Sequence, residues 1–314
     1  MNNETTTPLN NRQQSDRLMK LATYASVSVA IILVVVKTVT WWQSESVAML
    51  GSLTDSGLDF AASVITLLAI RTAIAPADDA HRFGHGKAEA ISGLFQAALM
   101  ATAAVFLIFS SLGRLWTPSA VTATDTMIGV SLFAIVISLI LVSFQAYVIK
   151  KTGSIAVAGD HLHYKGDVLL NLSVVAAALF AKYNMFQADG FIGLAIGAFI
   201  LWSALGVAKP ATDMLMDREF SDDERETIFN LVMESPGVRG LHDLRTRASG
   251  RDKFIQMHIE VDGELTVRKA HFIADEVEAT VGELFPDAEI LIHVDPPSEQ
   301  SNDLTLSALP SQKD

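Results

Sequence analysis

The stretch Val47–Ile70, VAMLGSLTDSGLDFAASVITLLAI, decides how this chain is read. It is long and apolar enough to cross a bilayer, which takes about 20 helical residues, yet it holds two carboxylates, Asp55 and Asp59. An ionisable side chain at the bilayer centre costs roughly 2.5–3.5 kcal/mol on insertion scales, so such residues usually mark a function. Their i,i+4 spacing puts both on one helix face. Ile155–Phe180, IAVAGDHLHYKGDVLLNLSVVAAALF, repeats the device with His163 and Asp167. Side by side, two such helices present three carboxylates and one imidazole to a common point. Four oxygen and nitrogen donors of this kind suit a tetrahedral Zn²⁺ site. A water-lined packing network would explain one such residue; two matched pairs favour a metal site.

Four more apolar segments flank these two: Leu21–Trp42, Ala90–Leu112, Met127–Ile149 and Phe191–Val207. The expected fold is therefore an α-helical membrane domain of six transmembrane helices, residues 21–210, after a polar N-terminal tail, residues 1–20. No short apolar core with a small-residue cleavage site precedes the first span, so no secretory signal is expected. Lys and Arg set the orientation. Arg12, Arg17, Lys20, Arg71, Arg82, Lys87, Lys150 and Lys151 fall on one side, against Arg114 and Lys182 on the other. Both termini are thus expected in the cytoplasm. Trp41 and Trp42 would sit at the far interface, and Lys37 is read as a snorkelling residue without a transport role.

Composition sets further bounds. Half of the 314 residues are hydrophobic, and there is no cysteine. Disulfides and thiolate metal sites are excluded, leaving His, Asp and Glu as ligands. Residues 1–210 carry 13 basic and 12 acidic side chains, a net +1; residues 211–314 carry 10 and 23, a net −13. So acidic a C-terminal part does not suit nucleic acid and does suit cations.

After Pro210 the pattern becomes that of a small α+β domain, residues 211–296. Ser221 with Glu224 reads as a capping box opening a helix to about Met233. Strands follow at His242–Thr246 and Phe254–Val261, then a helix over Thr266–Leu284 and a strand over Glu289–Val294. This order suggests a ferredoxin-like or metallochaperone-like layer of helices on a sheet. Residues 297–314 read as a polar, disordered tail.

Two more histidine clusters stand out. Asp78, His81 and His85, between the second and third spans, can close on one metal if the segment turns, although exposed loop histidines are common. In the C-terminal domain His258, His293 and Asp295 lie on the less apolar faces of their strands; His242 begins a strand and His271 lies on a helix. Seven of the eight histidines fall in these clusters and the membrane pairs, a concentration that favours metal. His161, the eighth, points about 200° away from His163 on a helix and reads as a lining residue. No H-E-x-x-H, phosphate-loop or G-x-S-x-G motif is present, so no enzyme is expected. Without a nucleotide site, transport would draw on an ion gradient, and proton and metal compete for the same His163 lone pair.

The stretches SLTDSGLD (Ser52–Asp59), PADDAHRFGHGKAE (Pro76–Glu89), HLHYKGDV (His161–Val168), HDLRTR (His242–Arg247), FIQMHIE (Phe254–Glu260) and IHVDP (Ile292–Pro296) resemble the cation diffusion facilitator family. The resemblance is to its bacterial ferrous-iron and zinc efflux subgroup, and it runs from about Arg17 to Pro296. It implies a homodimeric antiporter that exchanges protons for a divalent metal, zinc before cadmium or ferrous iron, across membrane lipid. Asp55, Asp59, His163 and Asp167 would form the transport site, and Asp78, His81 and His85 a loop site. His242, His258, His271, His293 and Asp295 would form a binuclear cytoplasmic site at the dimer interface, and Lys87 with Asp217 a structural charge pair. Val294 stands where some relatives have a polar residue. The rival reading is a membrane-anchored metal sensor that signals through its soluble domain. Zinc would be both cargo and regulatory ion.

Overall fold

The computed structural model describes residues 8–44, 47–116, 125–181 and 187–297. These divide into two compact units, which meet in sequence at Asp213/Met214.

Among the described residues, the first unit consists of six long helices: α1 (Pro8–Ser44), α2 (Val47–Ile74), α3 (Lys87–Trp116), α4 (Asp125–Thr152), α5 (Ile155–Ala181) and α6 (Gln187–Leu215). Five of them are long and apolar enough to cross a membrane. The exception by composition is α5, 27 residues long, whose first half carries Asp160, His163, Lys165 and Asp167. Its neighbours make this tolerable. One apolar cluster joins α5 through Ala156 and Val157 to Met19 and Ala22 of α1, Ile70 of α2 and Val148 of α4. A second joins Leu162 of α5 to Met100 and Ala104 of α3 and Ile200 and Ala204 of α6. With apolar contacts on both sides, α5 turns its ionisable residues toward protein, where polar groups inside a membrane domain are normally found.

Two helix ends differ from the sequence expectation. Residues 8–20, read as a tail, belong to α1, which opens at Pro8; a proline's fixed φ suits the first helical position, and Met19 and Ala22 are buried against the bundle. At the other end, α6 runs through Pro210 to Leu215. The proline removes one helical hydrogen bond without ending the helix, a tolerance common where neighbouring groups take up the freed carbonyl.

The second unit contains α7 (Asp222–Met233), β1 (Gly240–Ser249), β2 (Asp252–Glu260), α8 (Val267–Leu284) and β3 (Ala288–Asp295). β1 and β2 form an antiparallel hairpin, and β3 lies parallel to β2, giving the order β1-β2-β3. The parallel pairing needs a crossover, which α8 supplies. Ile255, Met257 and Ile259 of β2 pack against Ile228 and Val232 of α7 and Val277 and Val281 of α8. The helices therefore cover one face of the sheet, and the alternate residues of β2 project from the other. The expected helix–strand–strand–helix–strand order holds, although β1 extends beyond His242–Thr246 at both ends because β2 supplies partners from Gly240 to Ser249.

Ser221 caps α7 through a complete capping box with Glu224. Ser221→Ala is expected to lower the stability of this unit by about 1 kcal/mol, measured by urea unfolding followed by circular dichroism; an unchanged midpoint would contradict it.

Candidate metal centres

Asp59 of α2 and His163 and Asp167 of α5 converge. His163 Nε2 lies 2.8 Å from Asp59 Oδ1 and 3.6 Å from Asp167 Oδ2. The three residues offer ligand atoms all within 4.8 Å of one another. Asp59 and His163 are buried, at 6% and 8% exposure, and Asp167 Oδ2 is enclosed without a hydrogen-bond partner. A buried polar atom left this way is costly unless something else satisfies it, and a cation does so. Asp55 is one turn along α2, more exposed and outside the converged three. A third carboxylate aimed at the same point without a cation would meet like charge. His161 is half-buried and outside the cluster, its Nδ1 unpartnered.

Two features of this region escaped sequence reasoning. Lys37 does not snorkel. It is 5% exposed, and its ammonium donates to the Ser56 hydroxyl at 2.6 Å and the Ser52 carbonyl at 3.1 Å. The interior of the α1–α2 contact captures it before it can reach an interface. Toward the start of α5, Asp160 accepts from Ser26 of α1 and Gln145 of α4. Tyr164 bonds to Ser63 of α2 and donates to the Ser26 carbonyl. This network ties four helices together one turn from His163. The available signal was the same for both: an ionisable residue within a predicted span.

In the segment between α2 and α3, Asp78 Oδ1 is 3.3 Å from His81 Nδ1, and Asp78 Oδ2 is 3.4 Å from His85 Nε2. A turn closes the cluster. Asp78 accepts the backbone N–H groups of His81 and Ala80, and Gly84, at φ 76°, adopts a left-handed conformation suited to glycine. The hydrogen bond from the His81 N–H, foremost, holds the Asp78 carboxyl below the usual range.

The third cluster depends on strand register. His242 of β1 faces His258 of β2, and His258 faces His293 of β3. The imidazoles form a row, with ring centroids 5.1 and 4.6 Å apart. Asp295 serves all three: its Oδ2 is 2.8 Å from His258 Nδ1 and 3.5 Å from His242 Nε2, and its Oδ1 is 3.2 Å from His293 Nε2. Burial alone would raise this carboxyl, but the His258 hydrogen bond and the neighbouring histidines hold it below its ordinary value. It therefore stays ionised, and able to bind a cation, to lower pH than an ordinary aspartate. His271 does not join. It lies on α8, which packs on the opposite face of the sheet, and its side chain is 75% exposed, 3.6 Å from Asp275. Lys87 opens α3 in the first unit, and Asp217, in the second, lies 3.5 Å from Arg247 Nη1.

The cation efflux transmembrane domain matches residues 23–216, and the cation efflux cytoplasmic domain matches residues 220–297. The chain is 41% identical over 283 residues to the cation-efflux pump FieF of Serratia proteamaculans, covering 90% of this chain and 94% of that one. It is 42% identical over 283 residues to FieF of Yersinia enterocolitica, with the same coverage. Among solved structures, MamM-CTD 215-293 is 32% identical, with a TM-score of 0.23, covering 24% of this chain and 98% of that one. Domain matches along nearly the whole helical and α+β region, together with the two FieF relatives, establish that the chain belongs to the cation efflux, or cation diffusion facilitator, family: it is a multi-pass membrane transporter and not an enzyme.

Proposed function

We propose that the chain exports a divalent transition metal, zinc foremost, from the cytoplasm in exchange for protons. The observation that carries this reading is the convergence of Asp59, His163 and Asp167 on two helices of the membrane unit. Asp55 completes the set when a cation offsets the repulsion among carboxylates, giving three oxygen donors and one nitrogen. Proton exchange follows from the imidazole, because a metal can use its lone pair only when no proton does. Mixed Asp/His ligation also accepts cadmium and ferrous iron.

The remaining centres take supporting roles. Asp78, His81 and His85 form a loop site. His242, His258, His293 and Asp295 hold zinc on the open sheet face in a homodimer, where His271 comes from the second copy. Both termini are cytoplasmic, and the membrane is the bacterial inner membrane. A sensor would need no ligands inside the bilayer, so the membrane cluster weighs against that alternative.

Purified protein in liposomes, with a trapped pH dye and a metal indicator, tests the reading. Zinc entry should be accompanied by opposite proton movement, with cadmium and ferrous iron as competitors. Zinc movement insensitive to an imposed pH gradient would remove the proton coupling; no movement of any of the three metals would remove the transport reading.

A further inference from the structure

Lys37 is a buried ammonium to which the ligand set assigns nothing. Lysine is almost never fully buried unless paired, and both acceptors described above, the Ser52 carbonyl and the Ser56 hydroxyl, are uncharged. Those two residues bracket Asp55 on α2. An ammonium bonded to both sits at the helix turn that carries Asp55, where its charge acts on the ligand set. In a poorly solvated interior such interactions act over longer distances than in water.

We propose that Lys37 is a positioning residue of the transport site, a fixed internal cation that leaves the ligand set with the charge one divalent metal cancels. Ionised, Asp55, Asp59 and Asp167 carry three negative charges around a neutral imidazole. With the adjacent ammonium two remain, and a divalent cation brings the loaded site to neutrality, the state least costly to hold away from water. Without Lys37 the loaded site keeps a net negative charge and grips its cation more tightly. The ammonium therefore weakens binding and speeds release, which a transporter needs as much as capture. Its hydrogen bonds to α2 hold it in place for this.

This inference rests on the transport reading above, and the experiment separates the two. Zinc flux into liposomes is measured at about pH 8, where protons compete least with metal for carboxylate and imidazole ligands, for wild type and Lys37→Met, Lys37→Gln and Lys37→Arg. Lys37→Gln keeps donors for Ser52 and Ser56 without the charge, so it serves even where the methionine variant fails to insert. In both neutral variants KM should fall about tenfold, as expected on losing one nearby unit charge, and the maximum rate should fall with it. Lys37→Arg should restore both. A purely structural lysine would lower the rate without tightening KM. A KM unchanged or raised in the neutral variants, or no rescue by arginine, would overturn the proposal. Normal flux from Asp59→Ala, run alongside, would instead remove the assigned transport site and this inference with it.

Discussion

Asp167→Ala should abolish metal flux while the protein still inserts and assembles. Asp167 is one of three converged ligands, and its Oδ2 has no competing hydrogen bond. Its loss leaves Asp55, Asp59 and His163, one donor short of a tetrahedral set. The fall in flux should exceed the 10–100-fold typical of removing an outer-shell partner of a metal ligand. Misfolding is the rival explanation, and electrostatics argues against it: deleting one of several neighbouring carboxylates relieves like-charge repulsion. Size-exclusion chromatography and thermal unfolding in detergent should therefore match wild type, while liposome flux falls to background. Asp55→Ala should share the loss. Normal flux from a folded Asp167→Ala protein would remove the transport site; normal flux from Asp55→Ala alone would reduce it to the three converged residues.

The paired substitution His258→Ala with His293→Ala should have the second-largest effect, on zinc binding by the soluble unit. These imidazoles are the centre and one end of the row, and both face Asp295. Removing both leaves His242 and Asp295, and zinc affinity should fall at least about a hundredfold. Association should follow. Residues 211–314 carry a net charge of −13, which opposes the approach of a second copy, and bound divalent cations offset part of that repulsion. The unit has its own apolar core, so residues 211–314 can be studied alone. Sedimentation should show stronger self-association with zinc than with chelator for the wild-type fragment, and no difference for the double variant. Identical association of the wild-type fragment in both conditions would mean that the cytoplasmic histidines do not govern assembly.

How much of this was legible beforehand varies with the interaction. The membrane pairs could be read directly, because i,i+4 spacing fixes a shared helix face whatever surrounds it. The loop cluster could be read as residues, but its closure depends on the turn at Gly84. The cytoplasmic histidines could be identified and not joined: strand faces follow from alternation, whereas opposition of His242, His258 and His293 needs the register of two separate strand pairings. His271 shows the converse: within one copy a sheet separates it from the other histidines, so it can join them only across two copies. Lys37 was misread because span position alone suggests that a long side chain escapes to the interface; its capture by Ser52 and Ser56 requires α1 to lie against α2.

By itself, then, the sequence determined what depends on local periodicity and composition: long apolar helices, a capped α+β domain, ligand types restricted to His, Asp and Glu, and two ionisable pairs each confined to one helix face. Tertiary structure alone decided which of those groups meet. Asp59 reaches His163, and Asp160 binds Ser26, only because helix packing brings together side chains 104 and 134 residues apart. Such contacts come from how apolar surfaces fit, and no spacing along the chain encodes that fit.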